Sequence, residues 1–365
     1  MAASTLSVPG EKTLVLSDGR TLAYSCGGQE TSTKVVITLH GVFGVGSCDR
    51  HLDHTFTELG WRCISPTLPG WGRSSPWPKD VPIAAFVADM QELLAHEVGK
   101  PTHILVFGGS YGSVWAYVVA ANKPPAGFKQ IEPSGAIRGL CILGGFSPYA
   151  DDDGYAAALQ GMTTMNWLTV GRPGKSIFLG WILPLFGRFM RNKLVSGGHA
   201  AGLEIIRSIL TGPDAMKPEE RAEIEAWAVD CGTTFETWES DMARNTVLSV
   251  RDTFEGFRVT PHVINSDWGF SLDGIVIPGA GTDKRPSLTL AGRNDLPETL
   301  PPVVIGGALR DHLAPIAMQQ WVAAHIPGAQ MLEMQGNHIA GVILVLPIFK
   351  AMIHGIEAAD RERQM

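Results

Sequence analysis

The sequence lacks several features that would assign it to a common class of protein. Its five cysteines are scattered, odd in number and form no C-x-x-C pair, so neither a disulfide framework nor a zinc knuckle is predicted. It has 29 Lys and Arg against 36 Asp and Glu, a net charge of −7, and no basic run. Because phosphate binding requires clustered positive charge, we expect no nucleic-acid partner.

Targeting and membrane signals are also missing. The N-terminal residues have neither the basic start nor the apolar core of a signal peptide, and no N-x-S/T sequon occurs. The most apolar stretch, residues 177–190, is too short to cross a bilayer and contains Pro184 and Arg188. We therefore expect a cytoplasmic protein with no membrane span.

What the sequence does contain is typical of a large globular protein. Hydrophobic residues make up 45% and charged residues 18% of the 365 residues, which excludes a disordered chain. Short apolar runs alternate with amphipathic stretches in the first third, which predicts a mostly parallel sheet with helices on both faces. The predicted strands are residues 13–17, 21–25, 35–39, 62–65, 103–107 and 138–143, and the predicted helices include residues 83–98 and 114–121.

The strand–helix alternation is interrupted in residues 148–263, where helical stretches dominate and no strand pattern is visible. We expect this segment to be a helical cap between a first core part, residues 1–147, and a second core part, residues 264–365. The alternation resumes in that second part. Its predicted strands are residues 302–305 and 330–334, its predicted helices are residues 316–325 and 339–356, and residues 278–302 form a long loop or hold one short extra strand from Leu288 to Ala291.

The strongest chemical signal is the sequence G-G-S-Y-G at residues 108–112, which follows an apolar strand and opens a helix. This is the context in which a G-x-S-x-G motif presents a nucleophile. The sharp turn strains the backbone at Ser110 and leaves no room for side chains two positions to either side. The Ser110 hydroxyl then lies at a helix N-terminus, where the dipole favours developing negative charge.

A glycine-rich turn at residues 40–44, H-G-V-F-G, directly follows another strand. An oxyanion hole needs two backbone N–H donors, one from such a loop and one from the residue after the nucleophile. We therefore expect the region near Ser110 to receive donors from this loop and from Tyr111.

A general base and a carboxylate complete the predicted constellation. His338, in G-N-H after a late strand and before the last helix, is the candidate base. Asp311, which follows a strand and precedes a helix, is the favoured acid. Asp295 and the run of aspartates at residues 151–153 are alternatives that the sequence leaves open.

Taken together, these motifs resemble those of the α/β-hydrolase superfamily, and the G-G-S-x-G-S sequence is similar to the proline iminopeptidase branch and its fungal esterase-like relatives. The resemblance implies an α/β-hydrolase fold with a mostly parallel eight-stranded sheet. It also implies Ser110 as nucleophile, Asp311 as acid, His338 as base, and oxyanion donors at Val42 and Tyr111. In some relatives the loop donor lies one residue later, here at Phe43. The motifs are residues 40–41, 68–74, 108–113, Asp311 with Pro315, and residues 336–338.

Serine at the motif centre favours acyl transfer over dehalogenase or epoxide hydrolase chemistry, which needs a carboxylate nucleophile. We expect a serine hydrolase that cleaves a small to medium apolar carboxylic ester or lactone, with no cofactor and no metal. One alternative is an aminopeptidase of the proline iminopeptidase type, favoured weakly by the acids Asp214, Glu219, Glu220, Glu223 and Glu225. Another is a non-hydrolytic member of the fold that acts as an acyltransferase, lyase or receptor.

Overall fold

The computed structural model describes residues 6–133, 135–175, 179–212, 216–290, 292 and 295–364. Nine strands in these ranges form one sheet of order β1-β2-β4-β3-β5-β6-β8-β9-β7. The strands are β1 (Lys12–Val15), β2 (Thr21–Gly28), β3 (Lys34–Leu39), β4 (Arg62–Pro66), β5 (His103–Gly109), β6 (Ile137–Leu143), β7 (Leu288–Leu290), β8 (Val303–Ala308) and β9 (Gln330–Met334).

Most of the sheet is parallel, as the strand–helix alternation predicts. The strands β1 and β2 form the expected antiparallel hairpin, and β2 also pairs antiparallel with β4. The pairings from β4 through β3, β5, β6, β8 and β9 to β7 are all parallel. Because the carboxyl ends of parallel strands meet at one edge of a sheet, the loops after β3, β5, β6, β8 and β9 lie close together.

The sheet has one strand more than the eight that the resemblance implies. The ninth is β7, Leu288–Leu290, which within the described ranges pairs with β9 and lies at the sheet edge. The residues around β7, 278–302, are rich in Gly and Pro, which weaken the sequence signal of a strand. Since β8 lies between β6 and β9, the short strand β7 adds to the edge and does not replace the strand that precedes Asp311.

Helices cover both faces of the sheet. Alternating side chains of β3 show this: Val35 and Ile37 pack into one hydrophobic cluster with α2 and α3 residues, and Val36 packs into another with Phe56 and Phe349. The core helices are α1 (Arg50–Glu58), α2 (Phe86–Glu97), α3 (Gly112–Ala121), α10 (Ile316–His325) and α11 (Ala340–Gln364).

Between β6 and β7, the described residues up to Asn265 contain helices and no strand. The helices are α4 (Asp152–Leu159), α5 (Thr164–Thr169), α6 (Leu179–Ile206), α7 (Pro218–Asp230), α8 (Phe235–Arg251) and α9 (Glu255–Ile264). The long α6 is kinked at Gly198, where φ is 56°. Within the described ranges, no helix combines the length and the apolar character needed to cross a membrane.

Candidate active site

Ser110 lies in the turn between β5 and α3 with a φ of 50°, in the left-handed region that a residue with a side chain rarely adopts. Its N–H donates to the carbonyl of Leu143 at the end of β6, with a distance of 3.1 Å. The carbonyl of Ser110 accepts from the N–H of Ser113, which closes the first turn of the helix. The backbone strain that the motif predicts is therefore present at Ser110 and is held by hydrogen bonds on both sides.

The glycines on either side of Ser110 are required by close packing. A Cβ placed on Gly112 would lie 2.0 Å from the carbonyl oxygen of Leu39, which ends β3. A Cβ placed on Gly108 would lie 2.6 Å from the Cβ of Ala116 in α3. Both distances are too short for any side chain, so the turn can form only with glycine at these positions.

The loop of residues 40–44 lies against Ser110. A Cβ placed on Gly41 would be 3.3 Å from the Cβ and 3.8 Å from the Oγ of Ser110. Phe43 in the same loop has a φ of 61°, a second residue with a side chain held in the left-handed region. The 40–44 loop therefore follows a constrained path directly beside the candidate nucleophile.

His40 fixes this loop through both ring nitrogens. The N–H of Leu68 donates to Nε2 at 2.8 Å, so the ring proton lies on Nδ1, which donates to the carbonyl of Gly41 at 2.7 Å. The same carbonyl accepts from the N–H of Gly44 at 3.2 Å. Burial lowers the pKa of His40 to about 4, so the ring stays neutral near pH 7.

These two hydrogen bonds orient the peptide between Gly41 and Val42. In a trans peptide the carbonyl and the N–H point in opposite directions, so anchoring the carbonyl of Gly41 directs the N–H of Val42 away from His40. Among the hydrogen bonds of the described residues, neither Val42 N–H nor Tyr111 N–H has an acceptor. Tyr111 immediately precedes α3, so its N–H also belongs to the positive end of the helix dipole.

Asp311 and His338 are brought together by the loops after β8 and β9. The Nδ1 atom of His338 lies 2.6 Å from Oδ2 of Asp311. The other carboxylate oxygen, Oδ1, accepts from the N–H groups of Leu313 and Ala314 at 2.8 and 2.9 Å. The carboxylate is fully buried, while one fifth of the His338 side chain remains exposed.

A turn after β6 connects this pair with Ser110. The carbonyl of Leu143 accepts a hydrogen bond from the N–H of Ser110. The next residue, Gly144, has a φ of 56° and lies against the imidazole of His338. A Cβ on Gly144 would be 3.3 Å from Cε1 of His338 and 3.5 Å from Oδ2 of Asp311. Ser110, Asp311 and His338 thus surround one turn, although the hydrogen bonds of the described residues include none from Ser110 to His338.

A buried glutamine that the sequence does not single out supports the same turn. The amide of Gln319 in α10 donates to the carbonyl of Gly145 at 2.6 Å and accepts from its N–H at 3.2 Å. Gln319 has no solvent exposure. Gln319 and Gly145 are separated by 174 positions, so sequence spacing carries no signal of this contact.

The alternative acids are engaged elsewhere. Asp151 caps α4 by accepting from the N–H of Gly154, and Asp152 is 89% exposed and paired with Arg172. Asp295 accepts from the N–H of Gly292 on a loop beyond the edge strand β7. Of the candidate acids, Asp311 is the one whose carboxylate contacts His338.

The acids that favour an aminopeptidase are largely solvated or paired. Glu220 forms an ion pair with Arg310 and also accepts from the N–H of Lys217. Glu225 pairs with Arg221 on the same helix. Glu219 is exposed, Glu223 is partly buried, and Asp214 lies outside the described residues.

The comparisons agree with this architecture. Residues 34–145 match a family model described as the alpha/beta hydrolase fold. No curated protein matches the chain. The structure is similar to an alpha/beta hydrolase enzyme from a Medee basin deep-sea metagenome library, with a TM-score of 0.53 and 13% identity over 95% of this chain and 97% of the other.

Two further solved structures are similar over nearly their whole length. An alpha/beta hydrolase fold protein from Nakamurella multipartita has a TM-score of 0.52 and 16% identity, with 94% of this chain and all of the other covered. An esterase from Rhodococcus sp. ECU1013 has a TM-score of 0.50 and 15% identity, with 94% and 99% covered. The sheet order and these matches show that the chain has the α/β-hydrolase fold, as the sequence predicts.

Proposed function

We propose that this protein is a serine hydrolase that cleaves a small to medium apolar carboxylic ester or lactone through an acyl-enzyme on Ser110. The observation that carries the proposal is the combination of a strained Ser110 at a strand–helix turn with the Asp311–His338 pair across the Leu143–Gly144 turn. The α/β-hydrolase fold supports a hydrolase in general, and an esterase among the structural neighbours agrees with it. The serine mechanism and the ester substrate are the proposal's own content.

In the proposed first step, His338 accepts the Ser110 proton at Nε2 while the Ser110 oxygen attacks the substrate carbonyl. Asp311 holds the ring with its proton on Nδ1 and stabilises the imidazolium that forms, so that Nε2 faces the reaction. His338 then returns the proton to the leaving alcohol, or to the ring-opened alkoxide of a lactone. The acyl group remains bonded to Ser110.

Water completes the cycle. His338 removes a proton from a water molecule, the resulting hydroxide adds to the acyl carbonyl, and the carboxylic acid leaves as Ser110 recovers its proton. Both tetrahedral intermediates carry a negative oxygen. The unpaired N–H groups of Val42 and Tyr111 are the donors that we assign to that oxygen.

An apolar substrate is favoured by the aromatic side chains around the 40–44 loop. The ring centroid of Phe43 lies 5.2 Å from that of Phe257 in α9, and the ring centroid of Phe257 lies 4.8 Å from that of Phe254. Such rings provide apolar contact area for an acyl chain or a ring and offer no charged partner to a polar substrate. We propose that the helical segment, residues 148–263, is a cap that selects the substrate.

An aryl ester series of increasing acyl length, compared with aminoacyl anilides, tests the proposed substrate class. We expect turnover of the esters that depends on acyl length and is lost in Ser110→Ala. Selective cleavage of aminoacyl anilides would instead favour the aminopeptidase alternative. Absence of any Ser110-dependent hydrolysis across both series would favour a non-hydrolytic member of the fold.

A further inference from the structure

Two cysteine thiols lie in contact where the segment that follows the 40–44 loop meets β4. Cys48 follows this loop and precedes α1, and Cys63 lies within β4. Their sulfur atoms are 3.2 Å apart, with the thiol of Cys48 donating to the sulfur of Cys63. All five cysteines of the chain are thiols, so the contact is between two reduced side chains.

The surrounding backbone holds the two sulfurs together. Cys63 pairs across the antiparallel β2–β4 ladder with Gly27, and a Cβ placed on Gly27 would lie 3.1 Å from the Cβ of Cys48. Cys48 and Asp53, whose Oδ1 would lie 3.0 Å from the same Cβ, together occupy the space that a side chain at position 27 would fill. The N–H of Cys48 donates to Oγ of Ser25 at 2.8 Å, which anchors its backbone to the same strand.

The two cysteines differ in access to solvent. Cys63 is fully buried, whereas Cys48 is partly exposed. The hydrogen bond to Cys63, together with burial, raises the pKa of the Cys48 thiol, so it reacts more slowly than a free surface thiol. Because Cys48 is the residue of the pair that retains some exposure, we expect oxidation to start at Cys48 and to continue to the adjacent sulfur of Cys63.

We propose that Cys48 and Cys63 form a reversible oxidation site that hydrogen peroxide converts to a disulfide. In the first step the sulfur of Cys48 attacks one peroxide oxygen, the O–O bond breaks, and Cys48 sulfenic acid and water form. The sulfur of Cys63 then attacks the sulfur of Cys48, the S–O bond of the sulfenic acid breaks, and its hydroxyl leaves as a second water together with the proton of the Cys63 thiol. Two thiols are oxidised by two electrons and one peroxide is reduced to two waters.

The disulfide would close a covalent loop around α1 and join the segment after the 40–44 loop to β4. A cross-link of this kind restricts the unfolded chain, so we expect the oxidised protein to unfold at a higher temperature. The site does not depend on the proposed hydrolase function. Neither thiol has a hydrogen bond to Ser110, Asp311 or His338 among the described residues.

The test is oxidation of the folded full-length protein with hydrogen peroxide, followed by thiol counting after denaturation and by peptide mapping. We expect the count to fall from five thiols to three, a cross-linked peptide that joins Cys48 to Cys63, and full recovery with a dithiol reductant. The variant Cys63→Ser should yield no internal cross-link at Cys48. The variant Gly27→Ala keeps all five thiols and should form the disulfide more slowly, because its Cβ displaces Cys48.

Two results would overturn the proposal. One is that all five thiols persist in peroxide-treated wild type. The other is that the mapped cross-link joins a different pair. If Gly27→Ala fails to fold, Cys48→Ser serves as the second variant. Loss of two thiols from Cys48→Ser on peroxide treatment would mean that another pair is cross-linked and would contradict the assignment.

Discussion

The two oxygens of the Asp311 carboxylate have separate partners: Oδ2 lies 2.6 Å from Nδ1 of His338, and Oδ1 accepts the N–H groups of Leu313 and Ala314. The backbone donors prevent the carboxylate from rotating away from the imidazole. This arrangement fixes the His338 proton on Nδ1 and leaves Nε2 as the basic atom. The proposed mechanism requires this tautomer.

Asp311→Asn should therefore cripple turnover while leaving substrate binding nearly intact. An asparagine amide can donate to Nδ1 and so favours the wrong tautomer. We expect kcat to fall on the order of 10³- to 10⁴-fold with little change in KM. Steady-state kinetics on an aryl ester measures both constants.

The matched controls for this prediction are Asp295→Asn and Asp152→Asn, which we expect to stay within about tenfold of wild type. Both side chains contact groups other than His338. A crippling effect of Asp295→Asn would contradict the assignment and would make β7 the strand that carries the acid.

His40 is predicted to position the oxyanion donor and to have no direct contact with substrate. In His40→Ala the carbonyl of Gly41 loses one of its two donors, so the N–H of Val42 is less well aimed. Since removing one oxyanion donor outright costs about 10²- to 10³-fold in kcat, we expect a loss of about 10- to 100-fold, with KM changed less. His54→Ala, an exposed histidine in α1, is the control and should be silent. Equal effects of the two variants would contradict the positioning role.

The same histidine should make the folded state sensitive to acid. Its pKa is about 4 in the folded protein and about 6.5 in the unfolded chain, so between these values the unfolded chain binds more protons. The contribution of His40 is fully present above pH 6.5 and is lost as the pH falls toward 4, by roughly 3 kcal/mol at the limit.

Denaturant unfolding at pH 7 and pH 4.5 measures this dependence. Because glutamine does not titrate, His40→Gln should lose less stability than wild type between the two pH values. An identical loss in both proteins would show that His40 does not contribute to the acid sensitivity.

Gln319 should act on the base through the Gly144–Gly145 turn. Gln319→Met keeps the approximate volume but leaves the N–H and carbonyl of Gly145 unpaired in a buried site, which destabilises the protein by about 1–3 kcal/mol. We also expect a lower kcat and a displaced pH profile of kcat/KM, because Gly144 lies against His338. The neighbouring Gln320→Met, on the exposed face of α10, should change neither. A destabilised Gln319→Met with an unaltered pH profile would leave only a structural role.

Local signals made the strands, the turn that contains Ser110 and the position of His338 after a late strand predictable. The apolar run before Gly108 and the apolar helix after Gly112 identified the strand–turn–helix context of Ser110, and α10 was predicted at its observed bounds, Ile316–His325. The acid remained ambiguous because the lateral order of strands depends on pairing between distant segments. The contact of Gly144 with His338 and the two hydrogen bonds between Gln319 and the backbone of Gly145 arise from the same long-range pairing.

The short strand β7 is a case in which the local sequence signal is too weak to predict the element. In the part of the chain that the structure describes, its three residues pair with β9 at the sheet edge, so this short strand depends on its neighbour more than on its own propensity. The contact between Cys48 and Cys63 likewise requires the β2–β4 pairing that places Gly27 opposite Cys63. Cysteine spacing along the chain does not carry that information.

Labelling with a fluorophosphonate probe tests the central claim most directly, because such probes react preferentially with a serine whose hydroxyl is activated as a nucleophile. Intact mass and peptide mapping should show one adduct per chain, on Ser110 and on no other serine. Ser110→Ala should take up no probe and lose activity on the order of 10⁴-fold or more. An adduct that persists in Ser110→Ala, or a wild-type protein that stays unlabelled while it hydrolyses esters, would contradict the assignment of Ser110 as the nucleophile.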